Sequence, residues 1–421
     1  MKKAMSLIIT SLLLITLKGC NESRVLEENT KETGLSKYNI SYKYLNSDYF
    51  KEGYIFEPLY FKNDELYGIA KVYSNLSTNY EDDNLKYKID KEGVFKEYEN
   101  SLIDEYLNDG QIRSSISNKS VYERNLHTQD INYFYSDFEN NTLTELRWLK
   151  EPMEIIKEKT EGLDSESKFD KLVYKYKNIA LYEVITMNDK ESKETRVAYK
   201  DNYKFIYCID FDKEELYISD ILKEEESLAY YYNESLEKFI KVNNNGVFEE
   251  LDLVDNKIEI KENKKEDFKI NANYKFNHNL KDFTIIIYNN RNEETNEPEA
   301  SQTMVINNKD NNYKIYYEDK DEMNDYIYVS NEIKNSNYFI ASYNYKYYIA
   351  SIEDNLELEL IREIDLNYDI YEETDSISRD IFSNEDGTKA LIKIAKKNWD
   401  KDSKYFFDKI QYIYLEIEEK E

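Results

Sequence analysis

The chain has 421 residues, and its 86 acidic residues outnumber its 57 lysines and arginines, which gives a formal net charge of −29. Such a surface repels phosphate backbones, so electrostatic binding to nucleic acid is not expected. Nine glycines and three prolines argue against a disordered or collagen-like chain, and two cysteines are too few for a disulfide framework.

The N-terminal segment has the pattern of a secretion signal. Lys2 and Lys3 precede an uncharged apolar run from Leu7 to Leu17. A helix that spans a bilayer needs ~20 residues, so this run is too short to cross, but it has the length of a signal-peptide core. It ends in Leu17-Lys18-Gly19-Cys20. This ending resembles the lipobox of bacterial lipoproteins, with Leu at −3 and a small residue at −1. Lys18 departs from the pattern, because position −2 is usually small and uncharged.

The resemblance implies that the N-terminus is cleaved and lipidated. Residues 1–19 are the expected signal peptide, cleavage is expected between Gly19 and Cys20, and the Cys20 thiol is expected to carry a diacylglycerol. The mature protein would then be anchored by lipid to the extracytoplasmic face of the cell membrane. A plain signal peptide or an uncleaved anchor is the alternative. Residues 20–40 are polar and charged, which predicts a lipidated N-terminus and flexible tether, with a docked strand as the alternative.

From about Ile40 onward the sequence alternates between short strand patterns and polar turns. In 389–395, Ala390, Ile392 and Ile394 share one face, which is the two-residue period of a half-buried strand. The same reading places Tyr343, Tyr345 and Tyr347 on one strand face. Further strands are predicted at 313–319 and 408–421. Short helices are predicted at 101–110 and at 151–162, where Pro152 lies near the start and Gly162 at the end.

Two weak internal repeats suggest a repeating architecture. Residues 61–69 resemble 211–219, and residues 88–97 resemble 241–250, both at an offset of about 150 residues. Such an offset fits three propeller blades of ~50 residues each.

The segment 382–390, with Asp386-Gly387, resembles the turn of TolB-type and related WD-repeat-like propellers, in which Gly supplies the positive φ of a tight turn. We therefore predict an all-β fold, a β-propeller of about seven blades (six to eight) over residues 41–421. The alternative is two antiparallel β-sandwich or barrel domains divided near 150–165, with 157–168 as the linker.

Few residues point to chemistry. Cys208 lies in an apolar strand pattern, which predicts a buried inert thiol. His127 and His278 are expected to be exposed loop residues. Alternating carboxylates of the kind that suit Ca²⁺ occur in one loop, but the loop lacks a tight-turn Gly and a closing Glu, so a solvated loop is the preferred reading. These weak metal candidates are Asp319, Asp321 and Asp325. No phosphate-binding glycine motif occurs, so no cofactor is expected.

The predicted function is that of a membrane-anchored binding or scaffold module for a protein, peptide or cell-envelope glycan. Tyrosines of 229–235 and 343–350 would suit sugar stacking if exposed, but cross-strand core packing is the preferred reading. The alternative function is a surface glycosidase or lyase, which requires two or three carboxylates converging in the central channel beside aromatic rings. A solute-capturing lipoprotein is a third reading, but the two α/β lobes that such proteins usually need are not visible.

Overall fold

The computed structural model of this chain describes residues 38–46, 50, 54–72, 85–101, 111–116, 119–125, 131–137, 140–161, 167–187, 201–222, 227–270, 272–291, 298–317, 328–333, 336–343, 346–366, 377–397 and 407–419. Almost all of the regular structure in these ranges is β-strand. One helix, α1 (Lys150–Glu161), follows a 3₁₀ turn at Arg147–Leu149. Within the described ranges, no helix combines the length and the apolar character that a bilayer crossing requires.

The strands form seven antiparallel units of four strands each, numbered here as blades 1 to 7. Blade 1 contains β2 (Tyr54–Lys62), β3 (Glu65–Val72), β4 (Leu85–Ile89) and β5 (Phe95–Glu97). Blade 2 contains β6 (Gln111–Ile116), β7 (Lys119–Asn125), β8 (Ile131–Asp137) and β9 (Thr142–Glu145). Blade 3 contains β10 (Ser167–Tyr176), β11 (Ile179–Met187), β12 (Asp201–Asp210) and β13 (Glu215–Ser219).

The remaining blades follow the same order. Blade 4 contains β14 (Ser227–Asn233), β15 (Lys238–Asn243), β16 (Val247–Val254) and β17 (Lys257–Lys265). Blade 5 contains β18 (Ala272–Asn279), β19 (Phe283–Arg291), β20 (Pro298–Asn307) and β21 (Tyr313–Tyr317). Blade 6 contains β22 (Tyr328–Glu332), β23 (Tyr338–Tyr343), β24 (Lys346–Ile352) and β25 (Leu358–Ile364). Blade 7 contains β26 (Ile377–Ser383), β27 (Lys389–Lys397), β28 (Phe407–Glu419) and, as its outer strand, β1 (Tyr38–Leu45).

Successive side chains of one strand face the two neighbouring blades. In β27, Ala390, Ile392 and Ile394 pack against blade 6, whereas Leu391 packs against blade 1. This follows from the two-residue period of a strand, and it explains why the strands at the core carry apolar residues on both faces. The predicted shared face of Ala390, Ile392 and Ile394 is therefore confirmed.

Seven hydrophobic clusters join the blades into a closed ring, each with residues from two consecutive blades. One member from each of the two blades in each cluster is Ile69 and Leu143 (blades 1 and 2), Tyr133 and Phe205 (2 and 3), Leu181 and Tyr230 (3 and 4), Ile240 and Ile286 (4 and 5), Ile287 and Phe339 (5 and 6), Ile349 and Ile392 (6 and 7), and Tyr412 and Phe56 (7 and 1). The fold is a seven-bladed β-propeller, which confirms the predicted fold class.

The two ends of the chain close the ring. Strand β1 pairs antiparallel with β28, from Tyr38 opposite Glu419 to Leu45 opposite Tyr412. At the same interface the Phe56 backbone N–H of blade 1 donates a 2.7 Å hydrogen bond to the Tyr412 hydroxyl of blade 7. Lys393 of blade 7 adds an ion pair to Glu57 of blade 1 across this junction, with an N···O distance of 3.1 Å, and a second ion pair to Asp380 within blade 7 at 2.9 Å.

Blades 3 and 4 are additionally joined at their outer edges. Ile218 and Ser219 of β13 pair in parallel with Lys257 and Ile258 of β17. The two four-stranded units thereby become one eight-stranded sheet, the exception among sheets that otherwise have four strands.

The alternative of two sandwich or barrel domains is wrong. Residues 150–161, which lie in the proposed division between domains, form α1. Met153 and Ile156 of this helix belong to the same hydrophobic cluster as Tyr133 of blade 2 and Phe205 of blade 3. Apolar packing therefore continues across the proposed linker. The helix predicted at 151–162 is confirmed, whereas residues 102–110 of the other predicted helix lie outside the described part of the chain.

The strands predicted at 313–319, 389–395 and 408–421 correspond to β21, β27 and β28. The strand predicted through Tyr343, Tyr345 and Tyr347 is wrong, because β23 ends at Tyr343, β24 begins at Lys346, and these two residues pair with each other. Residues 1–37, with Gly19, Cys20 and most of the predicted tether, lie outside the described residues. The predicted boundary at residue 40 falls within β1.

The interpretation of the internal repeats as three-blade offsets is also wrong. Residues 61–69 cover the turn between the first and second strands of blade 1, whereas 211–219 cover the turn between the third and fourth strands of blade 3. Residues 88–97 and 241–250 likewise lie at different strand connections. The matches reflect similar hairpins, because tight turns between paired strands favour the same residue types wherever they occur.

Tyr412 and Tyr414 of β28 differ in whether their hydroxyl groups form a hydrogen bond across the closing interface. Tyr412→Phe leaves the buried Phe56 N–H without its acceptor, so we expect a loss of about 1–3 kcal/mol in the free energy of unfolding. Tyr414→Phe is the matched control, because its buried hydroxyl has no hydrogen-bond partner among the described residues, and we expect a change within about 0.5 kcal/mol. Denaturant unfolding measures both; equal losses would contradict a specific closing hydrogen bond.

Candidate functional site

The first strand of each blade lies innermost in the ring. Neighbouring first strands contact each other directly, as in β6 with β10, β10 with β14, β14 with β18 and β22 with β26. They line the central channel, and each ends at the turn into the second strand of its blade. The ends of the first strands of blades 3 to 7 surround two cavities, which together are called the channel mouth here.

The larger cavity, of about 480 Å³, lies between blades 3, 4 and 5. It is lined by Leu172, Val173, Tyr174, Lys175, Tyr176, Tyr232, Glu234, Asn279, Leu280 and Lys281. The smaller cavity, of about 310 Å³, lies between blades 5, 6 and 7. It is lined by Asn277, His278, Asn279, Leu280, Val329, Ser330, Asn331, Ile381, Phe382 and Ser383. The two cavities share Asn279 and Leu280, so they adjoin.

Aromatic side chains form one wall of the larger cavity. The rings of Tyr176 and Tyr232, from blades 3 and 4, stack with centroids 4.0 Å apart. Tyr176 donates a 3.2 Å hydrogen bond to Glu234, and the Tyr232 backbone N–H donates a 3.2 Å bond to the Tyr174 hydroxyl. Burial raises the pKa of Tyr174 to about 12, so this phenol is neutral at physiological pH. Blade-to-blade hydrogen bonds therefore hold the aromatic wall in place.

Charged groups lie in this cavity, as Lys175 and Lys281 do, and beside it, as Lys177 and Glu332 do. Lys175 is exposed within the channel, and the surrounding protein desolvates its ammonium group and lowers its pKa. Lys177 lies with its Nζ 4.8 Å from the centre of the Tyr176 ring. On blade 6, burial raises the pKa of Glu332, which accepts a 3.0 Å hydrogen bond from the Lys281 N–H of blade 5. Among the described residues that line the two cavities, Glu234 is the one carboxylate.

Three asparagines line the smaller cavity with fixed orientations. The Asn277 amide donates to the Leu228 carbonyl at 2.8 Å, and the Asn331 amide donates to the Asn384 carbonyl at 2.9 Å. Asn279 instead accepts a 3.1 Å bond from Thr284 through its side-chain oxygen. The cavity therefore combines oriented amide acceptors and an oriented amide donor.

A glycine allows blades 6 and 7 to meet closely beside this cavity. Gly387 has a φ of +65°, and a Cβ atom there would lie 2.5 Å from the Glu332 carbonyl oxygen. The preceding Asp386 accepts a 3.1 Å hydrogen bond from the Thr388 N–H. The Asp-Gly turn expected from the sequence is thus present, and it places Asn331 within reach of blade 7, where its backbone N–H donates to the Ser383 hydroxyl at 2.9 Å.

His278 differs from its expected position. It was predicted as an exposed loop residue, but it is half-buried on strand β18 and lines the smaller cavity. Burial lowers its pKa to about 4. The prediction failed because a polar sequence, Asn277-His278-Asn279, is compatible with a strand when that strand borders a channel rather than the apolar core.

Other sequence-based expectations have mixed outcomes. Cys208 is fully buried, so its predicted burial is confirmed, and burial raises its thiol pKa, which is consistent with the inert thiol expected from the sequence. Core packing is confirmed for the described tyrosines of 229–235 and 343–350 apart from Tyr232, which is half-buried at the channel mouth.

His127, Asp319, Asp321 and Asp325 lie outside the described residues. Within the described ranges, no group of three or more His, Cys, Asp or Glu side chains is arranged to hold a metal ion.

Sequence reasoning did not identify most residues of the channel mouth. Lys175, Tyr176, Asn279 and Asn331 belong to no local motif. Their shared feature is a position at or beside the end of a first strand, which a correct division of the chain into blades would have revealed.

Comparisons with known proteins found similar folds but no related sequence. No protein-family model matches the sequence, and no curated protein matches it significantly. The chain is similar to the crystal structure of the Cps50 (Swd1) β-propeller domain of Myceliophteria thermophila, with 9% identity and a TM-score of 0.38, over 90% of this chain and 99% of that chain. It is also similar to apo prolyl oligopeptidase B from Galerina marginata, with 12% identity and a TM-score of 0.42, over 88% of this chain and 52% of that chain. It thus spans about half of the latter protein. The fold assignment rests on the sheet order and ring closure described above.

The depressed pKa of His278 predicts a pH effect on stability. Above the unfolded-state pKa near 6.5, His278 is neutral in both states and does not make stability depend on pH. As pH falls from 6.5 towards 4, the unfolded chain binds a proton at this histidine that the folded chain does not, so the folded protein loses stability. We expect His278→Gln to remove about 2–3 kcal/mol of acid destabilisation over this window. Unfolding of both proteins from pH 7 to 4, with NMR titration of the two histidines, measures it; a folded His278 that titrates near 6.5 would rule the effect out.

Proposed function

We propose that this protein is a lipid-anchored extracytoplasmic binding module, with the channel mouth as its ligand site. The observation that carries the proposal is the pair of adjoining cavities, which combines an aromatic wall, a desolvated lysine and oriented amides. Binding sites typically have volumes of about 300–1,000 Å³ and place a few oriented polar groups among apolar ones. Both cavities have this size; the larger one combines polar groups with an apolar and aromatic wall, and the smaller one is lined mainly by polar side chains.

The anchoring part of the proposal rests on the N-terminal sequence. An acidic chain of formal net charge −29 is repelled by an anionic membrane, so attachment needs another source of affinity. Two acyl chains on Cys20 would supply it, because each buried CH₂ contributes about 0.8 kcal/mol. The expected ligand is a protein, a peptide or a glycan of the cell envelope.

The glycosidase alternative receives no specific support. Hydrolysis of a glycosidic bond generally requires two carboxylates about 5–10 Å apart. Of the described residues that line the channel mouth, only Glu234 supplies one, and Tyr176 already donates a hydrogen bond to it.

The anchor is tested by mass spectrometry of the mature protein and by membrane fractionation. We expect Cys20 as the first residue, with a diacylglycerol on its sulfur, and we expect Cys20→Ser to move the protein out of the membrane fraction. Lys18→Ala is the matched control, because it changes the same segment without removing the thiol and should leave the protein anchored. An unmodified N-terminus at another residue would refute the anchor.

The binding site is tested by capture from the protein's own envelope after chemical cross-linking. Asn279 is exposed at the junction of the two cavities, so Asn279→Trp should block both of them and abolish recovery of a specific envelope component. Asn39→Trp, on the exposed side of the outer strand β1, is the control and should leave recovery unchanged. Equal recovery by both variants, or recovery of nothing specific by the wild type, would count against the proposal.

A further inference from the structure

We propose that the channel mouth recognises an acidic oligosaccharide, with a carboxylate of the ligand beside Lys175 and sugar hydroxyls against Asn277, Asn279 and Asn331. This inference rests on the proposed function, since it specifies the ligand class of the same site. It goes beyond that proposal by selecting a charged glycan over a peptide or a neutral sugar.

The charge of the larger cavity supports an anionic group on the ligand. Acidic residues outnumber basic ones over the whole chain, yet Lys175 and Lys281 line this cavity with a single carboxylate, Glu234. Lys175 lines the cavity, and the surrounding protein lowers the pKa of its ammonium group. A ligand carboxylate beside Lys175 would form a charge-assisted hydrogen bond with its ammonium group, and it would face one carboxylate, Glu234, among the described lining residues.

The smaller cavity supports hydroxyl groups on the ligand. The amides of Asn277 and Asn331 are oriented by bonds to the Leu228 and Asn384 carbonyls, which leaves their side-chain oxygens as acceptors. Asn279 uses its oxygen for Thr284, which leaves its NH₂ as a donor. A sugar hydroxyl both donates and accepts, so a polyhydroxylated ring can satisfy this mixed set. His278, whose pKa is about 4, adds a neutral ring rather than a charge.

The geometry of the cavities favours a ligand longer than one sugar. The cavities, of about 480 and 310 Å³, adjoin at Asn279 and Leu280, so one molecule reaches both. The wall of Tyr174, Tyr176 and Tyr232 provides carbon surface for the C–H faces of a sugar ring at low entropic cost, because hydrogen bonds and stacking already hold these side chains.

Calorimetric titration of the full-length protein in detergent provides the test. The probes are tri-galacturonic acid, its carboxyl-reduced form, monomeric galacturonic acid and a hexaglutamate peptide. We expect tri-galacturonic acid to bind at least about tenfold more tightly than each of the other three probes, which corresponds to about 1.4 kcal/mol. The carboxyl-reduced form lacks the charge, the monomer is too short to reach both cavities, and the peptide lacks the ring hydroxyls.

Two lysines of β10 provide matched variants. Lys175→Met should weaken binding of the acidic trisaccharide about tenfold and leave binding of its carboxyl-reduced form unchanged. Lys171→Met, at an exposed position of the same strand outside the cavity lining, should change neither. Lys175→Arg keeps the charge and should preserve the preference for the acidic form. Unfolding midpoints confirm that each variant is folded.

The outcomes separate this inference from the proposed function. Equal affinity for the acidic and carboxyl-reduced trisaccharides, or no effect of Lys175→Met, overturns the anionic assignment. Tighter binding of hexaglutamate overturns the glycan assignment, and no binding of any probe overturns the inference as a whole. In each case channel-dependent capture from the envelope, blocked by Asn279→Trp, still decides whether the channel mouth is a binding site.

Discussion

Every blade of this protein depends on two neighbours, because both faces of its sheet are apolar. The hydrogen bonds of a sheet lie in its plane, so they cover neither face, and only another blade can bury Leu391 on one side of β27 and Ile392 on the other. Seven blades in an open row would have six interfaces and two uncovered faces, whereas a closed ring has seven interfaces and covers every face. The pairing of β1 with β28 supplies that closure from residues at opposite ends of the chain, so stability is a property of the complete ring rather than of any single hairpin.

The channel mouth is a consequence of the same arrangement. A closed ring places the first strand of each blade at the centre, and the ends of these strands bring together residues that are far apart in sequence, such as Tyr176, Asn279 and Ser383. Side chains there border water instead of a neighbouring blade, which allows polar residues on strands that elsewhere are apolar. The combination of lysine, asparagine and tyrosine at this position follows from the topology and carries no local sequence signature.

The sequence contained enough to predict the fold class but not the blade boundaries. Alternating apolar residues identified β27 and β28, and Pro152 with the apolar spacing after it identified α1. The division into blades failed because the usual signals of chain reversal are rare here. Among the described residues, turns use non-glycine residues at positive φ, including Asn63, Lys177 and Glu237, where most proteins place glycine. Similar hairpins therefore looked like repeated blades, and the reversal after Tyr343 looked like a continuous strand.

The parallel pairing of β13 with β17 has a consequence for how the channel mouth responds to a ligand. It ties blades 3 and 4 through backbone hydrogen bonds, whereas the described contacts between blades 6 and 7 are made by side chains and by hydrogen bonds such as that from Asn331 to Ser383. Relative movement of two blades is therefore more restricted on the aromatic side, which holds Tyr176 and Tyr232, than on the amide side. For a ligand that spans both cavities, the backbone pairing would hold the aromatic half rigid, whereas blades 6 and 7 on the amide half could shift relative to each other while each asparagine keeps its own hydrogen bond.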